Sequence, residues 1–167
     1  EPYNSSNISL NKIDWNYNIN AYDEELDKVL NDITCNDNNI RAVIEEMFGA
    51  CLYANIDNRF NKIFMFTGSN ILNSGSNGKS TILELLCNIL GEENTSKLSL
   101  NDLTSQFKPI QLKYKLANIG DDLDKNEIDS TGLLKKLVTG EGFNAESKGK
   151  DGVDIKNYAN LIFSANT

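Results

Sequence analysis

The most constraining feature of this sequence is a glycine-containing loop at residues 74–81, which lies between a strand pattern and a helix pattern. Before the loop, residues 63–66 form a short apolar run of β-forming residues that Gly68 closes, which predicts a buried strand. After the loop, apolar residues recur on one helical face over residues 82–90, and Gly91 follows as a C-cap. A strand, a glycine loop and a helix in this order predict an α/β fold.

The loop itself has the residue types that bind phosphate. Its residues are Ser74, Gly75, Ser76, Asn77, Gly78, Lys79, Ser80 and Thr81. Glycines let successive backbone N–H groups turn toward phosphate oxygens, and the following helix adds the positive end of its dipole. Lys79 is expected to contact the β- and γ-phosphates, and Ser80 to ligate Mg²⁺ through its hydroxyl, with Thr81 as the alternative ligand. The stretch therefore predicts a site for a nucleoside triphosphate and Mg²⁺.

The loop departs from the regular pattern at one position, and two interpretations remain open. The pattern has a glycine five residues before Gly78, where this sequence has Asn73. Asparagine tolerates left-handed backbone angles, so the loop is compatible with this substitution. Alternatively, the loop begins at Gly68 and residues 70–74 are an insertion. A surface loop that contains Gly-Lys-Ser by chance is disfavoured by the two flanking elements.

Composition excludes several classes of protein. The formal net charge of −8 disfavours broad, nonspecific coating of DNA, so any contact with nucleic acid is expected from a local lysine cluster. Histidine is absent and Cys35, Cys51 and Cys87 lack metal-ligand spacing, which argues against a zinc site and for a reducing compartment. The sequence has neither an apolar stretch of membrane-helix length nor a signal-peptide pattern, so we expect no membrane association.

The first part of the chain is predicted to be a linker. Residues 1–21 are polar, rich in Asn and weakly patterned, and we interpret them as a linker that arrives from a region further upstream. Trp15 and Tyr17 are the residues in it that are candidates for packing on the body of the domain.

Two helix patterns follow the linker. Apolar residues at helical spacing predict one helix over residues 22–33 and a second over residues 40–52, after an N-cap at Asp37 or Asn38. Both apolar stripes are typical of packing faces rather than of a site. Residues 22–60 are therefore expected to form a small helical lead-in to a nucleotide-binding domain over residues 61–167.

A pair of acids at the end of a second strand pattern is the next candidate site. Residues 115–122 have a strand pattern that ends in Asp121 and Asp122. We expect this strand to lie beside the first one. One acid then holds Mg²⁺ and its neighbour polarises the attacking water. By itself an Asp-Asp pair is weak evidence, but its position after a phosphate-binding loop makes this function the favoured interpretation.

The segments around these motifs complete the predicted domain. Residues 97–100 have the pattern of a short strand, and a helix toward Gln111 is interrupted by Pro109. Apolar residues over 133–138 predict a further helix that Gly140 closes.

The C-terminal part of the chain predicts a hairpin and a last strand. The hairpin covers residues 143–156, has Gly149 and Gly152 near its tip, and carries Lys148, Lys150 and Lys156. These lysines are candidates for DNA contact, and equally for a solvated loop that keeps an acidic protein in solution. The last strand, over residues 159–167, contains Asn166 near its end. Next to the loop strand, this amide can hydrogen-bond a γ-phosphate or the attacking water.

Taken in order, four motifs of this chain resemble the C-terminal helicase part of phage and plasmid primases, the primase-helicase group of superfamily 3. The resemblance covers about residues 22–167. The first motif is common to all phosphate-loop enzymes, whereas the ordered set is quite specific. The motifs are Gly75-Ser76-Asn77-Gly78-Lys79-Ser80-Thr81, Leu116-Ala117-Asn118-Ile119-Gly120-Asp121-Asp122, Leu134-Lys135-Lys136-Leu137-Val138-Thr139-Gly140-Glu141 and Tyr158-Ala159-Asn160-Leu161-Ile162-Phe163-Ser164-Ala165-Asn166.

The resemblance implies a three-layer, AAA+-like core with a mostly parallel sheet, and an ATP-driven helicase. Such a protein assembles as a ring, commonly a hexamer, and translocates on single-stranded DNA in the cytoplasm of a bacterial host. Carried over by position, Lys79 and Ser80 bind phosphate and Mg²⁺, Asp121 and Asp122 form the acidic motif, and Asn166 is the polar sensor. Lys148 and Lys150 then lie in the hairpin that faces the DNA channel.

The resemblance also implies that the motor is incomplete within this chain. Members of the group continue after the position of Asn166 with further core and with an arginine that reaches into a neighbouring subunit. Such an arginine raises the turnover rate by a factor of about 10³ to 10⁵. We therefore expect this chain to be a fragment with little or no hydrolysis of its own.

Two other functions fit parts of the sequence. A small kinase on the same loop needs lid arginines, and Arg41 and Arg59 are the only arginines here. A non-catalytic replication module needs only the fold. ATP hydrolysis that responds to single-stranded DNA separates the helicase from both.

Overall fold

The computed structural model of the protein describes residues 9–57, 60–68, 78–120, 131–147 and 149–165. Within these ranges the chain alternates helices and strands. The elements are α1 (Glu24–Ile33), α2 (Asn38–Cys51), β1 (Ile63–Thr67), α3 (Lys79–Leu90), β2 (Thr95–Ser96), α4 (Leu100–Leu103), β3 (Ala117–Gly120), α5 (Thr131–Thr139), β4 (Gly142–Ser147), β5 (Lys150–Lys156) and β6 (Asn160–Ala165), with short 3-10 helices at Glu92–Asn94 and Pro109–Leu112.

The predicted lead-in helices are confirmed as α1 and α2. Asp23 caps α1 by accepting a hydrogen bond from the backbone N–H of Leu26 at 2.8 Å. Of the two candidate caps for α2, the structure has Asp37, which accepts from the N–H of Asn39 at 2.8 Å. The turn between the helices is tight, since Cys35 and Asn36 both have left-handed φ angles, of 52° and 58°.

The main sheet is parallel, as predicted, with the strand order β1-β6-β3-β2. The last strand therefore lies beside β1, which confirms the predicted neighbour of the loop strand. The prediction that the acid-bearing strand adjoins β1 is wrong, because β6 lies between β1 and β3. The physical reason is burial: residues 160–163 of β6 are covered on both faces, as a central parallel strand requires.

Three local predictions are corrected. The second strand is two residues long, at Thr95–Ser96, rather than at residues 97–100. Ser99 instead caps α4 in a capping box with Asp102, which directs this segment into a helix. The helix toward Gln111 is replaced by α4 and a 3-10 helix that begins at Pro109.

The first strand is also less buried than predicted. In the described part of the sheet, β1 is an edge strand that pairs with β6 alone. Its central residue Met65 is 51% exposed. An edge strand lacks a neighbour on one side, so apolar residues in it stay partly accessible.

Two apolar cores cover the faces of the sheet and make the fold three-layered. Because side chains alternate along a strand, Ile162 of β6 packs with α2 and α3, whereas Leu161 and Phe163 pack with α5 and the β4–β5 hairpin. The α3-side core also contains Cys51, whose burial raises the pKa of its thiol to about 12. This cysteine is therefore a packing residue that stays protonated.

The predicted hairpin is confirmed as the antiparallel pair β4 and β5. Gly149 lies in its turn with a φ of 77°, whereas Gly152 lies within β5. The preceding helix α5 ends at Thr139, and Gly140 follows with a φ of 67°, as predicted.

Part of the segment that precedes the helices contacts the core. The Asn11 side chain donates to Asn94 Oδ1 at 2.9 Å and to the carbonyl of Tyr114 at 2.8 Å. Trp15 donates from Nε1 to the carbonyl of Asn88 at 3.2 Å, whereas Tyr17 is 88% exposed. Of the two aromatic residues considered for packing, Trp15 alone makes a hydrogen bond to the body among the described residues. Over the ranges that the structure describes, no helix combines the length and apolarity that a membrane crossing requires.

Candidate functional site

The candidate site begins at the N-terminus of α3, where the sequence motif meets the helix. Gly78 is the N-cap with φ 77° and ψ −1°, and Lys79 is the first helical residue. Ser80 and Thr81 complete the first turn. The leading N–H groups of an α-helix have no partner within the helix, and its dipole attracts anions, so this end is suited to a phosphate.

Gly78 is required at this position for two reasons. Its left-handed φ is readily adopted by glycine. In addition, a Cβ built on Gly78 lies 2.5 Å from Cγ1 and 2.6 Å from Cδ1 of Ile33, the last residue of α1. The lead-in helices therefore pack directly against the end of the loop.

Lys79 lines a common cavity with Thr67 and Gly68, which places the start of α3 near the carboxyl end of β1. Three parallel strands end at that edge of the sheet. The last residues of β1 and β6, Thr67 and Ala165, are register partners, and Gly120 of β3 pairs with Phe163. Adjacent strands are spaced by about 4.8 Å, so the ends of β1 and β3 are roughly 10 Å apart across β6. In open α/β sheets this edge is where ligands bind.

The structure describes part of the predicted site. Gly78, Lys79, Ser80 and Thr81 lie at the start of α3, and Lys150 is the first residue of β5. The remaining predicted residues lie outside the described ranges, so their roles stay predictions: Gly75, Ser76, Asn77, Asp121, Asp122, Lys148 and Asn166. In sequence, Asp121 directly follows β3 and Asn166 directly follows β6. Among the described residues, no group of three acids or cysteines is arranged to hold a metal ion.

Sequence reasoning missed a buried polar network that fixes β3. Asn118 is fully buried, and its Oδ1 accepts from Ser96 Oγ at 2.8 Å and from the N–H of Leu98 at 2.9 Å. Its Nδ2 donates to the carbonyl of Leu98 at 2.9 Å. The side chain thus continues the β2–β3 hydrogen bonding beyond the short β2 strand. The signal in the sequence is an amide in the middle of an apolar strand.

Gly120, which directly precedes the acid pair, is fixed by close packing. A Cβ at this position lies 2.5 Å from the carbonyl oxygen of Leu98 and 2.7 Å from the ring of Phe163. Only glycine allows β3 to approach both neighbours this closely.

Sequence reasoning also missed a cavity beside Lys79. The cavity has a volume of about 610 Å³ and lies between α1, α2, β1 and the start of α3. Its lining extends from Ile33 to Ile82, so residues far apart in sequence form it and no local pattern predicts it. We call it the lead-in cavity.

The hairpin is not a uniformly basic surface in its described part. Glu146 accepts a hydrogen bond from Gln106 at 2.8 Å, and Asp154 accepts one from Asn144 at 3.0 Å. Lys156 donates to the carbonyl of Ile56 at 3.2 Å, which gives it a structural contact. Of the three hairpin lysines considered for DNA contact, Lys148 and Lys150 remain the candidates.

The fold is similar to that of three solved structures. The apo structure of the NrS-1 C-terminal region matches with a TM-score of 0.66 and 25% sequence identity, over 89% of this chain and 35% of that one. Its A form matches with a TM-score of 0.66 and 24% identity, over 89% and 34%. A JCV helicase structure matches with a TM-score of 0.53 and 19% identity, over 89% of this chain and 42% of that one. The chain thus spans about a third of the length of the NrS-1 region.

A family model extends the comparison to sequence. The model described as "Family of unknown function (DUF5906)" matches residues 71–167, which include the phosphate-loop motif and the last strand. No curated protein sequence matches the chain.

Proposed function

This chain belongs to the family of unknown function DUF5906, and we propose that it is the motor part of an ATP-dependent DNA helicase of the phage or plasmid primase-helicase type. The observation that carries the proposal is the shared sheet edge. Lys79, at the N-terminus of α3, lines the same cavity as Thr67 and Gly68 at the end of β1, and β6 and β3 end at the same edge of the sheet. The fold shared with JCV helicase supports the same conclusion.

In the proposed mechanism, the N-terminus of α3 and the loop before it hold a triphosphate. The backbone N–H groups of residues 75–78 and the Lys79 ammonium bind phosphate oxygens. The exposed Ser80 hydroxyl, with Thr81 as its alternative, is a suitable hard ligand for Mg²⁺, which neutralises phosphate charge when bound. Asp121 is the proposed partner of Ser80 at the ion.

The remaining groups act on the attacking water. Asp122 orients and polarises it, and Asn166 contacts the water or the γ-phosphate from the end of β6. β6 adjoins β1, and their last residues, Ala165 and Thr67, are register partners. We expect Asn166, the next residue in sequence, to lie near the loop that follows β1. That position suits a polar sensor.

We propose that the complete motor is a homo-oligomeric ring, commonly hexameric, that acts on single-stranded DNA in the bacterial cytoplasm. A trans-acting arginine completes such a site. Arg41 is unsuited to this role because its guanidinium contacts Asp27, Asn31 and Glu45 of the lead-in helices. Arg59, the other arginine of the chain, lies outside the described residues.

We expect single-stranded DNA to stimulate the steady-state ATPase activity of the full-length protein, because translocation couples hydrolysis to the DNA. The measurement is phosphate release with and without a single-stranded oligonucleotide. A P-loop kinase is expected to ignore the DNA and to transfer phosphate to an acceptor, and a scaffold module to release no phosphate. Either result contradicts the helicase proposal.

We expect replacement of Lys148 and Lys150 by alanine to weaken binding of single-stranded DNA by the full-length protein. The slope of log K against log salt becomes shallower by roughly 0.7 for each DNA phosphate that the variant no longer neutralises. The matched control replaces Lys28 and Lys62, two exposed lysines outside the four motifs, and so removes the same charge elsewhere. If the two double variants have the same salt slope, the hairpin lysines do not contact DNA, and their role is to keep the acidic protein in solution.

A further inference from the structure

A junction of hydrogen bonds lies at the edge of the sheet where the parallel strands begin. Its centre is Asn94, which is 2% exposed and lies in the 3-10 helix between α3 and β2. Asn94 Nδ2 donates to the carbonyl of Leu90, the last residue of α3, at 2.7 Å. The backbone carbonyl of Asn94 accepts from the N–H of Leu116, which directly precedes β3, at 2.8 Å. One buried residue therefore joins the end of α3 to the start of β3.

Asn11, from the segment before the helices, completes this junction. Its Nδ2 donates to Asn94 Oδ1 at 2.9 Å, and Asn94 Nδ2 donates in return to the carbonyl of Lys12 at 2.7 Å. Asn11 Nδ2 also donates to the carbonyl of Tyr114 at 2.8 Å. Tyr114 has a left-handed φ of 63°, which is an unfavourable backbone conformation for a tyrosine. Asn11 thus fixes both the orientation of the Asn94 amide and the turn that leads into β3.

The two elements that meet at this junction carry the two halves of the proposed site at their other ends. Lys79 is the first residue of α3, and Asp121 directly follows β3 in sequence. A helix of 12 residues is a rod about 18 Å long, so a displacement of its last turn is carried to its first turn. Catalytic groups tolerate little displacement, since a misplacement of about 1 Å can cost roughly 100-fold in rate.

We propose that Asn94, held by Asn11, is a positioning residue of the motor. It sets α3 against the start of β3, and so aligns the phosphate loop with the acids that follow β3 in sequence. This inference rests on the proposed function, because the alignment matters only if both halves act on one triphosphate. Part of the segment that the sequence predicts to be a linker, at Asn11 and Lys12, then belongs to the motor domain.

The test separates nucleotide binding from turnover in the full-length protein with single-stranded DNA. Asn94→Ala removes the side-chain bonds of the junction, whereas Asn11→Ala removes the residue that holds Asn94. We expect each variant to lower kcat for ATP hydrolysis by roughly 10-fold and to change the Kd for ATP by less than about threefold. The reason is that hydrolysis needs both halves of the site, whereas the phosphate loop binds ATP from one side. Asn11 is only half-buried, so its variant carries the test if Asn94→Ala does not fold.

The matched control is Asn157→Ala, which removes another buried amide. Asn157 is 4% exposed, and its Nδ2 donates to the carbonyls of Leu137 at 2.9 Å and Ala159 at 3.1 Å. These bonds lie on the α5 side of the sheet and join neither α3 nor the start of β3. We expect the control to lose stability in urea unfolding as the Asn94 variant does, and to keep kcat within about twofold of the wild type.

Amide hydrogen exchange measures the junction in the full chain without nucleotide. We expect the N–H of Leu116, which donates to Asn94, to exchange roughly 10-fold faster in Asn11→Ala than in the wild type. Its rate is expected to stay unchanged in Asn157→Ala. An unchanged Leu116 rate in Asn11→Ala overturns the role of Asn11 in holding the junction.

The kinetic outcomes distinguish this inference from the proposed function. Wild-type kcat in folded Asn94→Ala or in Asn11→Ala overturns the positioning role and leaves the proposed ATPase intact. An equal loss of kcat in Asn157→Ala also overturns it, because turnover then follows stability alone. Absence of ATP hydrolysis by the wild-type protein contradicts the proposed function itself.

Discussion

Replacing Lys79 by alanine is expected to lower the ATP affinity of the full-length protein by roughly 10- to 100-fold, and to abolish measurable hydrolysis. Lys79 is the first residue of α3, next to the left-handed Gly78, where helix dipole and backbone N–H groups already favour an anion. Its ammonium supplies the mobile positive charge that the backbone lacks. Removing it leaves the phosphate charge without its main counter-charge at the β- and γ-positions.

Equilibrium titration with ATP and steady-state phosphate release measure the two effects. The control is Lys97→Ala, which removes the same charge from an exposed position after β2. The control is expected to retain wild-type affinity and turnover. Unchanged nucleotide affinity in the Lys79 variant would rule out the helicase and the kinase together.

Replacing Asn118 by alanine is expected to lower the free energy of unfolding of the full chain by about 3 to 5 kcal/mol, because buried polar groups lose their partners. The change removes the three hydrogen bonds at 2.8 to 2.9 Å that join β3 to Ser96 and Leu98. The N–H and carbonyl of Leu98 then remain buried without those bonds. A decrease of this size is a large part of the stability of a typical domain.

Urea unfolding, followed by circular dichroism, measures this change. Asn101→Ala is the matched control, since its side chain is exposed at the surface of α4. That variant is expected to stay within about 0.5 kcal/mol of the wild type, as surface substitutions usually do. A midpoint for the Asn118 variant close to that of the control shows that the amide network does not hold β2 on β3.

Local patterns predicted the elements well where the deciding interactions lie within a few residues. The cap at Asp37 and the glycine ends of α3 and α5 are confirmed because capping bonds are local. The prediction of a strand at residues 97–100 is wrong, and the reason is again a local interaction. The Ser99 capping box is a local signal, and it outweighed the apolar alternation that indicated a strand.

The candidate site is predictable in its chemistry and less so in its arrangement. The motif placed Lys79 and Ser80 at a helix start, and the structure confirms that position. The sequence placed the acid-bearing strand next to β1, whereas β6 separates them.

By itself, the sequence determined most of the helices and strands outside residues 97–112, and where the loop motif meets α3. These follow from residue periodicity and from glycine positions, which act over a few residues. Only the tertiary structure decided the order of strands, the packing of Ile33 on Gly78 and the lead-in cavity. Those features join residues that are tens of positions apart, and the burial that selects among such pairings exists only once the chain has folded.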